Sequence, residues 1–312
     1  MPLLDVFRAL ADPSRLRIVQ LLREMELSVG EIAQVLGQSQ PRVSRHIKVL
    51  VDAGLALKRR EGSSIFLTCA PSALALPLFN LLDVAASAEG DHWTRADRVR
   101  LAAVRADRSV AAERWFASHA TEWDKIRSLH VPEGEVEAAM AEMLGDKLGR
   151  LVDIGTGTGR ILELLGPAAA QAIGIDRSPE MLRLARAKLD GLGYELRQGD
   201  INALQLGDGD ADTITLHQVL HFLPAPDSAI AECARLLSDD GALLIVDFAP
   251  HEREELRVDH AHARLGFSNE QIAGWLGAAG LRLAETRELK GGELTIKLWR
   301  GERARKAKVK AA

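Results

Sequence analysis

Cysteine is nearly missing from this chain. Cys69 and Cys233 are the two thiols in 312 residues, too few and too far apart for a disulfide framework or a cysteine-rich metal site. Aromatic residues make up 4% of the sequence, so a local cluster of them marks a place of interest. Long apolar runs are absent as well. None approaches the roughly 20 residues of a spanning helix, and the start, Met1-Pro-Leu-Leu-Asp5, lacks the basic region of a secretory signal. These absences exclude a secreted disulfide scaffold and a membrane-spanning protein, and we expect a cytoplasmic chain. What is present is a hydrophobic fraction of 47% in a chain longer than one typical domain, enough for two cored domains and a connector.

The net charge of −4 conceals an asymmetry. Residues 1–72 carry ten Lys/Arg against seven Asp/Glu, residues 300–312 carry six against one, and the stretch between is strongly acidic. Any polyanion is therefore expected at the head.

Residues 1–72 read as helices followed by a hairpin. Leu3, Phe7, Leu10, Leu16, Val19 and Leu22 recur with helical spacing, broken at Ala11-Asp-Pro-Ser14, where Asp12 before Pro13 is a helix start. Ser28 opens a short helix over Val29–Leu36, and Gly37 closes it. Pro41 then opens a third helix that runs to Ala53, with Val43, Ile47 and Leu50 apolar and Arg42, Ser44, Arg45 and Lys48 polar. Helix, short turn, helix is a DNA-reading arrangement. Leu55 to Thr68 reads as two strands around Glu61-Gly-Ser63, carrying Arg59 and Arg60. Six basic residues and two acids lie between Gln38 and Ser64. Such basic residues neutralise phosphates, while Gln38, Ser39, Gln40, Ser44 and Arg45 have donors and acceptors suited to base edges. A solvated polar face on an ordinary helical bundle is the competing interpretation.

The segments Ala9-Leu-Ala-Asp-Pro-Ser-Arg-Leu-Arg-Ile18 and Gln38-Ser-Gln-Pro-Arg-Val-Ser-Arg-His-Ile-Lys-Val-Leu50 resemble the ArsR/SmtB family of winged-helix regulators. The resemblance covers nearly all of residues 1–70 and implies a homodimer on a double-stranded DNA operator. Metal-sensing members carry a Cys-Val-Cys-type pair where this chain has Glu26-Leu-Ser-Val-Gly30. Serine and glycine are poor ligands for a soft metal, so the signal is expected from elsewhere and no metal is expected.

Residues 73–149 are expected to be a helical connector that serves dimerisation and covers a cofactor. Leu74–Ala86 is apolar, residues from Trp93 to about Leu129 alternate arginines with apolar side chains, and Trp115-Phe-Ala-Ser-His-Ala-Thr-Glu-Trp-Asp124 concentrates aromatics. Core packing is an equal explanation of that aromatic group.

From residue 150 strands and helices alternate through seven strands, from Leu151–Ile154 to Leu294–Trp299. Alternation means a mostly parallel sheet covered on both faces. The short Glu288-Leu-Lys-Gly-Gly292 connection makes the last strand antiparallel. Strand one ends in Asp153 and runs into Gly155-Thr-Gly-Thr-Gly159, with Arg160 where a dinucleotide fold has its third glycine. Asp176 ends the second strand, where ribose hydroxyls need a carboxylate acceptor, and Asp200 follows the third.

With Asp153, Gly155, Gly157, Gly159, Asp176 and Asp200 assembled, residues of about 110–300 resemble the class I S-adenosylmethionine (SAM)-dependent methyltransferases. The resemblance implies that the glycine loop underlies the methionine and ribose of SAM and that Asp176 binds the ribose hydroxyls. It places Asp200 and Ile201 at the adenine edge, flanked by Arg177 and Met181, with S-adenosylhomocysteine as the product. Thr215-Leu-His-Gln-Val-Leu-His-Phe-Leu-Pro224 follows the fourth strand. Its His217 and His221 stand four apart but lack the intervening glutamate of a zincin. His217 is expected at the methionine end of the cofactor. The catalytic candidates are His217, His221, Asp247 and His251, with His260 and His262 nearby, since histidine titrates near neutrality. His221 is expected in the acceptor pocket, and a solvated, charged loop and helix explains Asp247, His251, His260 and His262 equally well. The absence of an Asn-Pro-Pro-Tyr-type motif argues against a DNA amino-methylase, and Cys233 alone argues against an arsenite methylase.

The expected architecture is α/β. It comprises a winged helix-turn-helix domain (1–72), the connector (73–149), a Rossmann-like methyltransferase domain with a mostly parallel seven-stranded sheet and one antiparallel strand (150–300), and a basic disordered tail (301–312). Three functions fit: a regulator fused to a methyltransferase acting on a small molecule, a regulator that senses SAM or S-adenosylhomocysteine without turnover, and a methyltransferase whose head only dimerises.

Overall fold

A computed structural model describes residues 3–61, 64–70, 77–80, 82, 95–104, 106, 133–290 and 293–303. The chain forms two compact units, Met1–Ser109 and Val110–Ala312. The aromatic segment 115–124, expected to cover a cofactor, lies outside the described residues, as does the tail beyond residue 303.

The first unit begins with α1 (Leu3–Leu10) and α2 (Pro13–Glu24), and the Asp12 side chain accepts from the Arg15 amide to start the latter. The two-residue strand β1 (Leu27–Ser28) leads directly into α3 (Val29–Leu36). There Ser28 and Glu31 complete a reciprocal capping box, and Gly37 closes the helix in the left-handed region at φ 65°. The helix α4 spans Gln40–Asp52, and strands β2 (Ala56–Glu61) and β3 (Ser64–Cys69) form the hairpin. Strand β1 pairs antiparallel with β3. This pairing has no signal in the sequence, because two residues carry no periodicity.

Ile18, Leu22, Ile32, Val35, Val43, Leu50 and Leu67 meet in the core of this unit, joined by Leu101 and Val104 from helical residues 95–104. Those residues are held to α2 by a two-pronged ion pair, in which Arg17 Nε and Nη2 both donate to the Asp97 carboxylate at 2.6 Å. Part of the expected connector thus belongs to the core of the first unit.

The second unit opens with α5 (Glu133–Leu144) and continues through β4 (Arg150–Ile154), α6 (Arg160–Leu165), β5 (Gln171–Asp176), α7 (Pro179–Lys188), β6 (Glu195–Gln198) and β7 (Ala211–His217). It is completed by α8 (Pro226–Leu236), β8 (Leu237–Phe248), α9 (Glu255–Asp259), α10 (Asn269–Ala278), β9 (Leu281–Leu289) and β10 (Ile296–Arg303). The seven strands lie in the order β6-β5-β4-β7-β8-β10-β9. Only β10 runs against its neighbours, inserted between β8 and β9. Successive residues of the central strands serve opposite faces. Ile214, Leu216, Leu243 and Ile245 face one core, whereas Leu244, Val246, Ile296 and Leu298 face the other. A sheet covered on both sides explains why these strands read as continuous apolar runs.

Residues 301–303, expected in the tail, belong to a strand. Strand β10 continues through Gly301-Glu302-Arg303, because Gly301 leaves room for Leu276 and the Arg303 guanidinium donates to the carbonyls of Ala234 and Leu237 at 2.8 and 2.7 Å. Among the described residues no helix is long and apolar enough to cross a membrane.

Candidate functional site

The parallel strands place their carboxyl ends along one edge, and the order reverses around β4, the position at which open α/β sheets bind ligands. The glycine loop begins there. Gly155, Gly157 and Gly159 all take positive φ, at 73°, 54° and 83°. A side chain at Gly155 would collide with Val219 and one at Gly159 with Leu189, at 2.4 and 2.7 Å. Glycine is thus required twice, for backbone conformation and for close approach. The Gly155 and Thr156 amides donate to the Ile175 carbonyl, which draws the loop across the end of β5.

Asp176 anchors this junction. Its Oδ2 accepts from the Gly157 amide and its Oδ1 from the Ser178 amide, both at 2.8 Å. Burial pushes its carboxyl above the ordinary aspartate range, while the amides of Ser178, Gly157 and Arg177 pull the other way. A carboxylate oxygen can accept more than one donor, so the group retains capacity for ribose hydroxyls. The cradle that only glycine leaves open, together with this carboxylate, fits an adenosyl ligand.

Asp153 is buried on β4 and accepts from the Thr215 hydroxyl at 2.6 Å, which ties β4 to β7 beneath the loop. Asp200 holds Asn202 through its backbone amide and side chain at 2.9 and 2.8 Å, with Ile201 half-buried beside it. The buried Met181 lies in the first turn of α7, its amide capped by Ser178, and Arg177 is exposed just before. Arg160 does not point to the loop. Its guanidinium grips Glu137 of α5 at 2.6 and 2.7 Å and Glu163 at 2.8 Å, and these hydrogen bonds hold it firmly charged. The place of a dinucleotide glycine is occupied by a structural clamp.

The histidine region is drawn together by a sharp turn. His217 ends β7 and is buried, and Gln218 follows with φ 55°, a left-handed conformation that is uncommon outside glycine. The Gln218 amide donates to the Val246 carbonyl at 2.7 Å. This turn sets Val219 against Gly155 and returns His221 to β8. His221 Nδ1 lies 2.8 Å from Asp247 Oδ1, and the same carboxylate accepts the backbone amides of His221 and Phe248. The His221 ring is 4.2 Å from that of His262, 4.0 Å from Phe222 and 5.0 Å from Phe248. His251 stands apart from the dyad, its ring edge-on to Phe248 at 6.0 Å and its Nδ1 accepting from the Arg253 amide. Among the described residues no group of three or more His, Cys, Asp or Glu side chains could hold a metal ion.

Sequence reasoning missed Thr215, Val219, Glu137 and the ring contacts of His262. Only Glu137 left a trace, as an acid among the apolar positions Val136, Ala139 and Met140. The others act through partners remote in the chain.

In the first unit α4 buries Val43, Ile47 and Leu50 and exposes Gln40, Arg42, Ser44, Arg45 and Lys48, with Ser39 exposed just before it. Gln38 is half-buried and donates to the Ser14 hydroxyl at 2.9 Å, so it ties the turn to α2. Arg59 pairs with Glu26 at 3.1 Å and lies over the Phe66 ring, whereas Arg60 is exposed on the neighbouring position. Neither cysteine is a ready thiolate. Burial pushes Cys69 up to about 11 and raises the enclosed Cys233 further.

Two sequence families match these units. Residues 12–58 match the bacterial regulatory protein family arsR, and residues 152–245 match a methyltransferase domain family. The arsenical resistance operon repressor of Escherichia coli is 42% identical over 69 residues, covering 22% of this chain and 59% of that protein. A malonyl-[acyl-carrier protein] O-methyltransferase of Methylococcus capsulatus is 33% identical over 153 residues, 47% of this chain and 56% of that protein. The chain thus spans somewhat more than half the length of these curated relatives. A SAM-dependent methyltransferase structure from Thermotoga maritima shares the fold, with a TM-score of 0.51 at 22% identity over 62% of this chain and 100% of that one. The chain joins an arsR-family regulatory domain in its first unit to a methyltransferase domain with class I sheet topology in its second.

Proposed function

We propose that this protein is a homodimeric, DNA-binding transcriptional regulator whose second unit binds SAM and transfers its methyl group to a small molecule. The observation that carries the cofactor assignment is the junction of Gly157 and Asp176, an amide-rich glycine cradle closed on a half-buried carboxylate. Asp176 would take the ribose hydroxyls, Gly155 to Gly159 would follow the methionine and ribose, and Asp200, Ile201, Arg177 and Met181 would border the adenine. Asp153 and His217 would lie toward the methionine end. When bound, the cofactor supplies an activated methyl group. The protein's part in such a displacement is chiefly to position donor and acceptor.

On the DNA side, Gln40, Arg42, Ser44, Arg45 and Lys48 would enter the major groove with Ser39 at the helix start, and Arg60 would follow the backbone from the hairpin. Gln38 and Arg59 would act partly by holding this surface in shape. Binding should weaken steeply with salt, since each phosphate neutralised releases counterions. Arg42→Ala with Arg45→Ala should cost about 1–3 kcal/mol for each of the two side chains that reads a base. Gel-shift titrations on promoter fragments at several salt concentrations decide the matter: a flat salt response, or full binding by the double variant, would refute the reader.

A second reading, in which the second unit only senses SAM or S-adenosylhomocysteine, is favoured by one feature of the first unit. Arg100, on the helical residues that lead toward the second unit in sequence, donates to the Val35 carbonyl at 3.1 Å, at the end of α3 just before the reading helix. Operator affinity that responds to cofactor without any methylated product would select this reading.

A further inference from the structure

The cofactor assignment leaves open what His221 and Asp247 do. Both are enclosed, with 2% and 0% of their side chains exposed. The Asp247 carboxylate accepts two backbone amides, from His221 and Phe248, as well as facing His221 Nδ1 at 2.8 Å. An acceptor-only carboxylate in that position requires the proton of a neutral imidazole to sit on Nδ1. The lone pair is then on Nε2, which has no hydrogen-bond partner among the described residues. Val219, which follows the left-handed Gln218 and precedes His221 by two residues in the chain, packs on Gly155 in the glycine loop.

A fixed base of this kind suits some acceptors and is idle for others. A neutral amine attacks through its own lone pair and loses a proton afterwards, and a carboxylate has no proton to lose. A phenol must give up its proton as the new bond forms. The His221 ring is also bordered by Phe222, Phe248 and His262, a concentration of flat rings in a chain with 4% aromatic residues. Resting on the methyltransferase reading above, we propose that His221 Nε2 is the general base for an acceptor bearing a phenol-type hydroxyl, and that Asp247 is its positioning residue. The carbon–sulfur bond of the donor breaks as the carbon–oxygen bond forms, and the hydroxyl proton passes to Nε2. The positive charge lost from sulfur thereby reappears on an imidazolium beside Asp247, and the proton then leaves to water.

The test uses the full chain throughout. Nitrogen-15 spectra of its imidazoles, without cofactor, should show His221 as the Nδ1–H tautomer that takes up its second proton at Nε2. The titratable groups facing its ring are Asp247 from β8 and His262 from the loop after α9, while the backbone amides of Ala263 and Arg264 donate to its carbonyl. Finding the Nε2–H tautomer would overturn the proposal without any assay of activity. Methyl-labelled SAM offered with catechol, 1-naphthol, aniline or benzoate should label the two phenols only. His221→Gln should lower that transfer by about 10²–10⁴-fold, with SAM affinity by calorimetry unchanged. Asp247→Asn should displace the acid limb of the rate–pH profile and reduce kcat more than it raises KM. Labelling of aniline or benzoate alone, no labelling of either phenol, or undiminished transfer by His221→Gln each contradict the proposal. Failure of the wild-type protein to bind SAM would instead remove the methyltransferase reading itself.

Discussion

Asp176 ties the glycine loop to the start of α7, and the proposed ribose contact falls on the same carboxylate. Burial raises its pKa, so its protonated form favours the fold at low pH, and that stability is lost as the pH rises through the raised value. The amides of Ser178, Gly157 and Arg177 favour the ionised carboxylate and oppose that effect. Ribose hydroxyls should bind this ionised form, so SAM affinity should fall on acidification starting above the usual aspartate pKa of about 3.9. Calorimetry across a pH series checks this, and an affinity that stays flat down to the ordinary aspartate range would contradict it. Gln218 offers a second test. Its left-handed backbone costs about 1–2 kcal/mol in a residue with a side chain. Gln218→Gly should therefore stabilise the protein by up to about 1 kcal/mol in urea titrations, and Gln218→Val should destabilise it. At this scale the sequence was informative wherever a residue is defined by its neighbours in the chain. Gly155, Gly157, Gly159 and Asp176 were legible because spacing alone brings them to a strand end. The links from Thr215 to Asp153, from Glu137 to Arg160 and from Val219 to Gly155 were not, because each joins elements remote in sequence.

At the scale of elements, local capping made the head readable. The Asp12-Pro13 start, the Ser28 cap and the Gly37 stop are all local in sequence, and all three occur where their chemistry places them. The insertion of β10 between β8 and β9 was not legible, since a short connection fixes antiparallel direction but not which neighbour lies on the far side. By composition residues 95–104 belong to a helical connector. The bidentate pair of Arg17 and Asp97 instead fastens them to α2, and Arg100 fastens them to the end of α3. Asp97→Ala leaves the largely buried Arg17 without this partner and should cost about 3–5 kcal/mol in thermal or urea unfolding of the first unit. A change within error would show the pair to be dispensable. If the first unit takes a signal from the second, the same variant should also alter the response of DNA binding to cofactor.

For the whole molecule, charge and fold divide the labour. The basic, exposed face of α4 belongs to a unit with an arsR-family domain, and the glycine cradle belongs to a unit with a methyltransferase domain in a strongly acidic stretch of sequence. Burial raises the thiol pKa of both Cys69 and Cys233, so neither is a ready nucleophilic thiolate at neutral pH. The most direct test is a calorimetric titration of SAM into the full chain and into Asp176→Ala, with thermal melts confirming that the variant remains folded. The account predicts one SAM per chain for the wild type and no measurable binding for the variant. Absence of binding by the wild type, or equal binding by both, would contradict it.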